Sequence, residues 1–578
     1  MKKLKNEPLA LALLLALVAA LSIFWAGQKS GYFVDEGMTL YLANGNYTGA
    51  VTSRPEGTIQ DFLKEYVLRD SLPATAANLV EMLKQLAGAG NYSQQGSVAW
   101  YDAARALLQG RRVWMDGSEL FGQLTVPPGE GFDYLQVYMN QAVDVHPPLY
   151  YLLVHTVFSL GGGYSDWYLF GINLFFLLLT CLFLYKAGRR ITGEPTLPML
   201  AVAIYGFSQG FISTAVYFRM YAILTFWVTL TYYLHLRLEE SGWRPTRRLT
   251  AALVATVALG FYTHYYYVVF LFPLFLLTAA KMLRGGHKKE LGGYFFRLLA
   301  GGVVSLCVWP LSVYHILFGY RGTEAAGNLF SAELFSRLGA YYGILLDAFF
   351  FGSPLLFWAL VAMGLFLLGF SLKLRGPGGT AGSRLVQILP VVGFYMLVVI
   401  QISPALEDRY LMPVYPLISL VVAAVLLKPL WLTRRTLRHR WMAPVLIASA
   451  MALGGLLLAK PNYLYLENRS LALGTTLDPA GMNCLMVADD DWRGFPEALR
   501  LSRFGQVMVV GEAEMDALSA EKPARPEEPL LVYLYEGLPQ QATLAEVEAS
   551  LALSGPGEEI ASDILGFNAY LFHVELYP

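Results

Sequence analysis

Residues 166–190 read DWYLFGINLFFLLLTCLFLYKAGRR, and their length and apolarity indicate a membrane protein. Residues 166–187 are long enough to cross the ~30 Å hydrocarbon core of a bilayer as a helix. Basic side chains close the stretch at Lys186, Arg189 and Arg190, as is typical of the cytosolic end of a span. The stretch therefore predicts a transmembrane helix that ends in the cytosol.

The composition of the whole chain agrees with this prediction. Of its 578 residues, 56% are hydrophobic and 15% are charged, whereas soluble domains average ~25% charged residues. So few charges cannot cover a soluble surface for a chain of this length, and 14% aromatic residues exclude a disordered or fibrous chain. The net charge of −1 gives no reason to expect nucleic-acid binding, and three cysteines exclude a disulfide framework.

Apolar stretches of this kind recur along the chain and predict about eleven transmembrane helices. They cover residues 8–26, 166–187, 196–216, 220–237, 249–262, 265–283, 297–318, 353–373, 386–403, 411–429 and 441–459. We interpret the first as an uncleaved anchor rather than a secretory signal, because it is longer than a signal's apolar core and no small-residue cleavage site follows it.

The distribution of basic residues predicts the orientation. With a cytosolic N-terminus, the inner loops hold 23 Lys and Arg residues, and the short outer turns hold four: Arg219, Arg321, Arg337 and Arg409. Residues 147–160 form a shorter apolar stretch, and counting it as a crossing would move Arg189 and Arg190 outside. This stretch and residues 338–351 are therefore predicted to lie at the outer interface.

Two segments are predicted to be soluble and extracytoplasmic. One is the loop over residues 27–165, which is assigned to a transmembrane domain over residues 1–459. The other, residues 460–578, predicts a small α/β domain, because strand patterns alternate with helical ones. The strands are predicted at 484–487, 506–510, 529–535, 558–562 and 567–576, and helices at 496–502 and 542–551. Asp489-Asp490-Asp491 is interpreted as a strand-to-loop turn rather than a metal site.

Polar side chains gather at the predicted outer ends of the spans, where ionisable residues are costly and often functional. Taken singly, each group also has a structural explanation, such as helix-start acids, interfacial aromatics, or an ion pair of Arg219 with Asp35. Together they fit transfer from a phosphorylated donor, since an acid deprotonates an acceptor hydroxyl while cations neutralise the leaving phosphate. The groups are Asp35-Glu36, Asp144 with His146, Arg219 with Tyr221, His264 with Tyr266, and Glu407-Asp408-Arg409.

The order of these motifs resembles that of GT-C glycosyltransferases of family 39, a family that includes dolichyl-phosphate-mannose protein mannosyltransferases and bacterial aminoarabinose transferases of lipid A. The resemblance covers about residues 8–430 and is nearest to bacterial family-39-like membrane proteins. It implies a polytopic α-helical GT-C-like fold in the bacterial cytoplasmic membrane. The motifs that carry it are Asp35-Glu36, His146-Pro147-Pro148-Leu149-Tyr150-Tyr151, Arg219-Met220-Tyr221, Thr263-His264-Tyr265-Tyr266 and Arg409-Tyr410.

The resemblance also implies an activity and roles for individual residues. The activity is inverting transfer of a sugar from a polyprenyl-phosphate donor to an extracytoplasmic acceptor. Asp35 would act as the general base, with Glu36 in support. The residues implied for the donor phosphate are Arg219, Arg409, His264 and Tyr266, and those for the acceptor or cavity wall are Asp144, His146 and Tyr221. A divalent metal stays open, because the acid pair is compatible with one while mannosyltransferase-like members work without it.

Two other functions stay open from the sequence. A transporter or flippase of polyprenyl-linked glycans would use the same cavity without a base, although the inverted repeats common in transporters are not visible. A non-catalytic scaffold would bind a cell-envelope polymer through residues 460–578. The sequence specifies neither the sugar nor the acceptor.

Overall fold

The computed structural model describes residues 6–89, 98–100, 103, 107, 110–373, 384–432, 442–465, 478–553, 555–564 and 566–572. Over these residues the chain is mostly helical and divides into two compact units. The first unit contains Met1–Lys29, Val145–Tyr150 and Leu169–Leu464, and the second contains Ser30–Asp144, Tyr151–Tyr168 and Tyr465–Pro578. The C-terminal segment is therefore grouped with most of the predicted outer loop.

Each predicted span coincides with at least one helix. These helices are Glu7–Ala26, Asp166–Thr192, Thr196–Gly206, Gln209–Val216, Tyr221–Glu240, Arg247–Thr263, Tyr266–Arg284, Lys288–Val308, Leu311–Leu317, Pro354–Lys373, Ile388–Ile402, Tyr415–Leu432 and Met442–Leu457. Among the described residues, five helices are long and apolar enough to cross a membrane, or up to seven if each bent pair is one span. By this measure the total of eleven is not confirmed, because several helices, such as Met442–Leu457 with 16 residues, are shorter than the ~20 residues of a full span.

The first unit also contains shorter helices between its long ones. They are Tyr320–Leu329 and Leu334–Phe350, together with the 3-10 turns Asp408–Tyr410 and Met412–Val414. Leu334–Phe350 covers most of the stretch predicted to be interfacial, and it meets the next helix at 89°. The bend follows Phe351, whose φ of 48° lies in the left-handed region that ends a helix.

Glycines allow several helices of the first unit to approach closely. Gly455 in the helix Met442–Leu457 is one of those that face backbone. A Cβ atom on Gly455 would lie 2.4 Å from the carbonyl oxygen of Phe207. Trp25 also contacts this glycine, because its indole Nε1 donates to the Gly455 carbonyl oxygen at 2.8 Å. The contact leaves no room for a side chain without movement of a backbone.

We expect Gly455→Ala to destabilise the protein by about 1–3 kcal/mol, the usual cost of overpacking. The methyl group must displace either its own helix or the Phe207 carbonyl, and neither is a flexible side-chain end. The measurement is the melting temperature of the purified protein in detergent. Gly302→Ala is the matched control, because nothing lies within 4 Å of a Cβ atom there. Equal melting temperatures for the two variants would contradict the prediction.

The strands of the second unit are β1 (Ser53–Arg54), β2 (Arg111–Arg112), β3 (Met115–Asp116), β4 (Asn483–Ala488), β5 (Gln506–Gly511), β6 (Leu530–Tyr535), β7 (Glu558–Ile564) and β8 (Phe567–Phe572), with β1 and β2 forming a separate ribbon. The others form a six-stranded mixed sheet in the order β3-β5-β4-β6-β8-β7. Strand β4 pairs in parallel with β5 and β6, and the other pairs are antiparallel.

The predicted C-terminal strands overlap β4 to β8, and the end of the last one lies outside the described residues. The first strand of the sheet, β3, comes instead from the loop over residues 27–165 and pairs with β5. Helices of the second unit are Val34–Asn44, Ile59–Phe62, Leu63–Val67 (a π-helix), Leu72–Ala89, Gly117–Leu124, Tyr134–Val143, Leu149–Gly161, Ala498–Leu501, Ala517–Ala520 and Gln540–Leu551, with 3-10 turns at Pro479–Gly481, Asp491–Gly494 and Glu512–Glu514. Leu149–Gly161 begins in the first unit.

Candidate functional site

Arg219 lies in a turn of the first unit, between the helices Gln209–Val216 and Tyr221–Glu240. The turn is fixed by Asn173, whose side-chain amide donates to the carbonyl oxygen of Tyr217 at 2.6 Å. The backbone N–H of Arg219 donates to the same carbonyl oxygen at 2.8 Å. Arg219 is only 4% exposed. A guanidinium is thus held at a buried helix start, where charge is expensive unless it meets a counter-charge.

His264 follows the helix Arg247–Thr263 with extended backbone, and the next helix begins at Tyr266. Its ring Nδ1 accepts a hydrogen bond from the backbone N–H of Tyr266 at 3.0 Å. An amide N–H can only donate, so Nδ1 carries no proton and Nε2 is the donor of the neutral ring. Burial lowers the pKa of His264 well below its usual value, and the charges of His146, Arg219 and Arg409 lower it further. The imidazole is therefore neutral and offers one N–H.

Arg409 lies in the 3-10 turn Asp408–Tyr410 and is 8% exposed. Its Nη1 donates to the hydroxyl oxygen of Tyr217 at 2.7 Å, and its Nε lies 3.1 Å from Oε2 of Glu407. Tyr463 donates its hydroxyl to the same Glu407 oxygen at 3.0 Å and stacks on Tyr217 with ring centres 3.7 Å apart. These contacts fix the direction of the guanidinium.

Aromatic rings join these groups into one assembly. The ring centre of His264 lies 4.8 Å from Tyr266, 5.5 Å from Tyr221 and 5.8 Å from His146. Tyr410 contacts both tyrosines, at 6.2 Å from Tyr221 and 5.8 Å from Tyr266. The structure thus brings together six of the predicted site residues in one unit. We call them the arginine–histidine cluster: His146, Arg219, Tyr221, His264, Tyr266 and Arg409.

Sequence reasoning missed a third cation beside this cluster. Lys29, just after the first helix, places its Nζ 4.9 Å from the ring centre of Phe218 and donates to the carbonyl oxygen of Tyr463. The sequence did contain a signal for Lys29. A lysine at the predicted outer end of a span departs from the excess of basic residues on the inner side, just as Arg219 does. Tyr463 has no comparable signal, since it follows the last helix in a stretch without a motif.

Asp408 is a buried acid next to Arg409. Burial raises the pKa of its carboxyl to about 6, although hydrogen bonds from Asn462 and Tyr463 lower it. Within the described part of the chain, its Oδ1 accepts no hydrogen bond. The carboxyl is therefore easier to protonate in the folded protein than in the unfolded chain.

We expect Asp408→Asn to raise the melting temperature at about pH 8 and to change it little at about pH 4. Between pH 3.8 and about pH 6, the Asp408 carboxyl holds a proton in the folded protein but has released it in the unfolded chain. The stability of the folded protein therefore falls as the pH rises through this interval. The asparagine stays neutral and avoids this loss, which amounts to about 3 kcal/mol at most. Melting curves of both proteins between about pH 4 and about pH 8 measure the effect. A variant that is less stable at both ends of the range would contradict it.

The predicted acids Asp35 and Glu36 belong to the second unit and start the helix Val34–Asn44. Glu36 is fully buried, and its Oε2 accepts a hydrogen bond from the backbone N–H of Phe33 at 2.7 Å. This contact is a helix cap. Asp35 is partly exposed, and Asp144 is the residue that follows the helix Tyr134–Val143. Their proposed roles stay predictions.

Metal ligation is the remaining chemistry that the sequence left open. Over the residues that the structure describes, no group of three or more His, Cys, Asp or Glu side chains is placed to hold a metal ion. Asp489, one of the three consecutive acids in the second unit, instead pairs with Arg493.

Residues 145–314 match the family model of dolichyl-phosphate-mannose-protein mannosyltransferases. The chain resembles the family-39 glycosyltransferases. The predicted resemblance is thereby confirmed, and the matched segment includes five of the six members of the arginine–histidine cluster. Arg409 lies beyond the segment, as do the acids Asp35, Glu36 and Asp144.

Two solved structures are also similar to this chain. They are ArnT from Cupriavidus metallidurans in the apo state and the same protein bound to undecaprenyl phosphate. Sequence identity is 16% and 14%, the match covers 74% of this chain in both cases and 87% and 88% of ArnT, and the TM-scores are 0.45 and 0.44. A likeness at this level assigns no role to a residue of this chain. No curated protein matches the sequence.

Proposed function

We propose that this protein is a membrane glycosyltransferase that moves a sugar from a polyprenyl-phosphate donor to an acceptor hydroxyl. The arginine–histidine cluster is the observation that carries the proposal. Two buried guanidiniums and one neutral imidazole N–H converge there, and such donors suit a phosphate group. The family match over residues 145–314 supports the reaction class.

The proposed reaction is a single displacement at the anomeric carbon. The acceptor hydroxyl loses its proton to Asp35 while its oxygen forms the new bond to that carbon. The bond from the anomeric carbon to the phosphate oxygen breaks, and its electron pair leaves with the polyprenyl phosphate. Attack opposite the leaving group inverts the configuration.

The leaving phosphate gains a negative charge in this step. Arg219 and Arg409 would stabilise it as preorganised cations, and His264 would donate its Nε2 proton without transferring it. Tyr266, whose ring contacts His264, would lie beside the donor headgroup. Tyr221 and His146 would form the wall nearer the acceptor, with Asp144 assigned to the same role.

The proposal includes an orientation. The excess of basic residues in the predicted inner loops supports a cytosolic N-terminus, with the arginine–histidine cluster on the outer side of a bacterial cytoplasmic membrane. With eleven spans, the C-terminal segment would also lie outside. An extracytoplasmic glycan, lipid or protein would then be the acceptor.

The test is a donor assay on the full chain in nanodiscs. Radiolabelled undecaprenyl-phosphate sugars are offered one at a time, and release of undecaprenyl phosphate is followed, because slow transfer to water needs no known acceptor. We expect release from one sugar by the wild type and not by Asp35→Asn. Binding without release from any sugar would favour a transporter, and neither binding nor release would favour a scaffold.

A further inference from the structure

The helix Val34–Asn44, which carries Asp35 in its first turn, packs against a segment from the C-terminal part of the second unit. The segment comprises residues 495–500. Gly37, in the turn that follows Asp35, allows the two backbones to approach closely. A Cβ atom on Gly37 would lie 2.2 Å from the carbonyl oxygen of Phe495. The segment therefore contacts the helix just after Asp35.

The ring of Phe495 extends this contact along the helix. Its centre lies 5.2 Å from that of Tyr41, with the rings edge to face, and both side chains are buried. The hydroxyl of Tyr41 donates to the carbonyl oxygen of Val51 at 3.2 Å, so the position of this ring is fixed as well. Apolar burial and the close backbone contact at Gly37 together hold the helix after Asp35 against the segment.

Arg500 fixes the chain on the other side of Asp35. Its Nη2 donates to the carbonyl oxygen of Ser30 at 3.1 Å, and its Nη1 donates to Oε2 of Glu497 at 2.7 Å. The side chains of Arg500 and Glu497 keep 19% and 9% of their surface exposed. Hydrogen bonds from a guanidinium are stronger than those between neutral groups. Glu497 thus orients the guanidinium, and the guanidinium holds Ser30, which lies shortly before Asp35 in the chain.

The stretch before Asp35 has two further supports. Tyr32 donates its hydroxyl to the carboxylate of Asp166, and Glu36 accepts from the backbone N–H of Phe33 in the helix cap. Removal of the guanidinium would therefore loosen this stretch without releasing it completely. We expect the loss of this one support to shift the carboxylate of Asp35 rather than to unfold its helix.

We propose that Arg500 is a positioning residue for Asp35, and this inference rests on the proposed sugar transfer. Arg500 would act through the backbone that leads from Ser30 into the helix, and it would not touch the substrate. A general base must lie within hydrogen-bond reach of the proton that it takes, and a misplacement of ~1 Å can cost about 10²-fold in rate. The C-terminal segment would then serve the transfer reaction rather than bind a cell-envelope polymer as a separate module.

The test is the donor assay on the full chain in nanodiscs with the double variant Glu497→Gln/Arg500→Met. Methionine keeps much of the side-chain length but has no N–H, and glutamine avoids leaving a buried carboxylate unpaired. We expect kcat for release of undecaprenyl phosphate to fall about tenfold while KM for the donor stays unchanged, because the base moves and the donor site does not. Glu497→Gln alone keeps the bond to Ser30 and should retain most of the activity, and Arg500→Lys should retain part of it.

Two measurements separate positioning from a general loss of structure. Combined with Asp35→Asn, the double variant should lower release no further than Asp35→Asn alone, because both changes act through the same carboxylate. Amide hydrogen exchange in residues 30–37 should become faster in the double variant, with or without a donor. Arg525→Gln is the matched control, because Arg525 pairs with Glu528 at 3.2 Å and is 51% exposed. Melting temperatures verify that each variant is folded.

Three results would overturn the proposal. They are a double variant with the kcat of the wild type, a further loss when it is combined with Asp35→Asn, and exchange in residues 30–37 no faster than in Arg525→Gln. A wild type that releases undecaprenyl phosphate from no donor would instead reject the proposed function. Faster exchange in the double variant would then still show that Arg500 holds the chain before Asp35.

Discussion

Replacing Asp35 with asparagine is expected to lower sugar transfer by at least ~10²-fold, the scale of general base catalysis. Asparagine has nearly the same shape as aspartate but cannot take the acceptor's proton. Asp35 lies in the first turn of the helix Val34–Asn44, and the bond from Thr39 Oγ1 to its backbone carbonyl oxygen, at 2.9 Å, is kept. The loss should therefore appear in release of undecaprenyl phosphate and not in the melting temperature.

Two matched variants make this result specific. Asp61→Asn changes another acid in the first turn of a helix of the second unit, and it should leave transfer unchanged. Glu36→Gln keeps an oxygen that can cap the backbone N–H of Phe33, so it should cost little transfer. Full activity of Asp35→Asn would reject Asp35 as the base, and Glu36 and Asp144 would be tested next.

The same variant separates the competing functions. A flippase needs no base, so Asp35→Asn would leave transport of the glycan intact. A scaffold would be unaffected by changes at Asp35 and Arg219. Deleting residues 465–578 tests the scaffold less cleanly, because β5 from that segment pairs with Met115–Asp116. The deletion would leave β3 without its partner strand and disturb the rest of the second unit.

The helices were predictable because hydropathy is local. An apolar run such as residues 166–187 is recognisable from its hydropathy alone, and the helix Asp166–Thr192 begins where predicted. The strand Met115–Asp116 gave no such signal, since two residues show no alternation. Its pairing with Val507 and Gln506 joins positions almost 400 residues apart, which periodicity cannot reveal.

The charged residues of the site were predictable from the sequence, whereas the residues that hold them in position were not. Arg219, His264 and Arg409 stood out because ionisable groups near membrane depth are rare. Asn173 fixes the Arg219 turn from within an apolar helix, and Tyr463 reaches Glu407 from beyond the last helix. Both act through contacts distant in sequence. The basic residues of the inner loops indicated orientation, whereas their ion pairs with Glu239 and Glu240 appear only in the structure.

Replacing Arg219 with alanine is expected to lower kcat/KM for the donor by about 10²-fold, comparable with the loss of one preorganised donor to a developing negative charge. Arg219 is buried, and its charge acts on His264 together with that of Arg409. Without it, the leaving phosphate meets one guanidinium fewer in a site with little water to replace it. Initial rates across donor concentrations measure the change, and inhibition by the product undecaprenyl phosphate should weaken in parallel.

Arg337→Ala distinguishes phosphate binding from loss of structure. Arg337 is 9% exposed in the same unit, and its Nη1 donates to the carbonyl oxygen of Ser403 at 2.7 Å. Its removal should lower the melting temperature and leave product inhibition unchanged. Arg219→Lys should recover part of the lost donor affinity, because the charge returns without the two-pronged hydrogen bonding. If Arg219→Ala only lowered the melting temperature, as expected for Arg337→Ala, Arg219 would be a structural residue and the phosphate role would pass to Arg409 with His264.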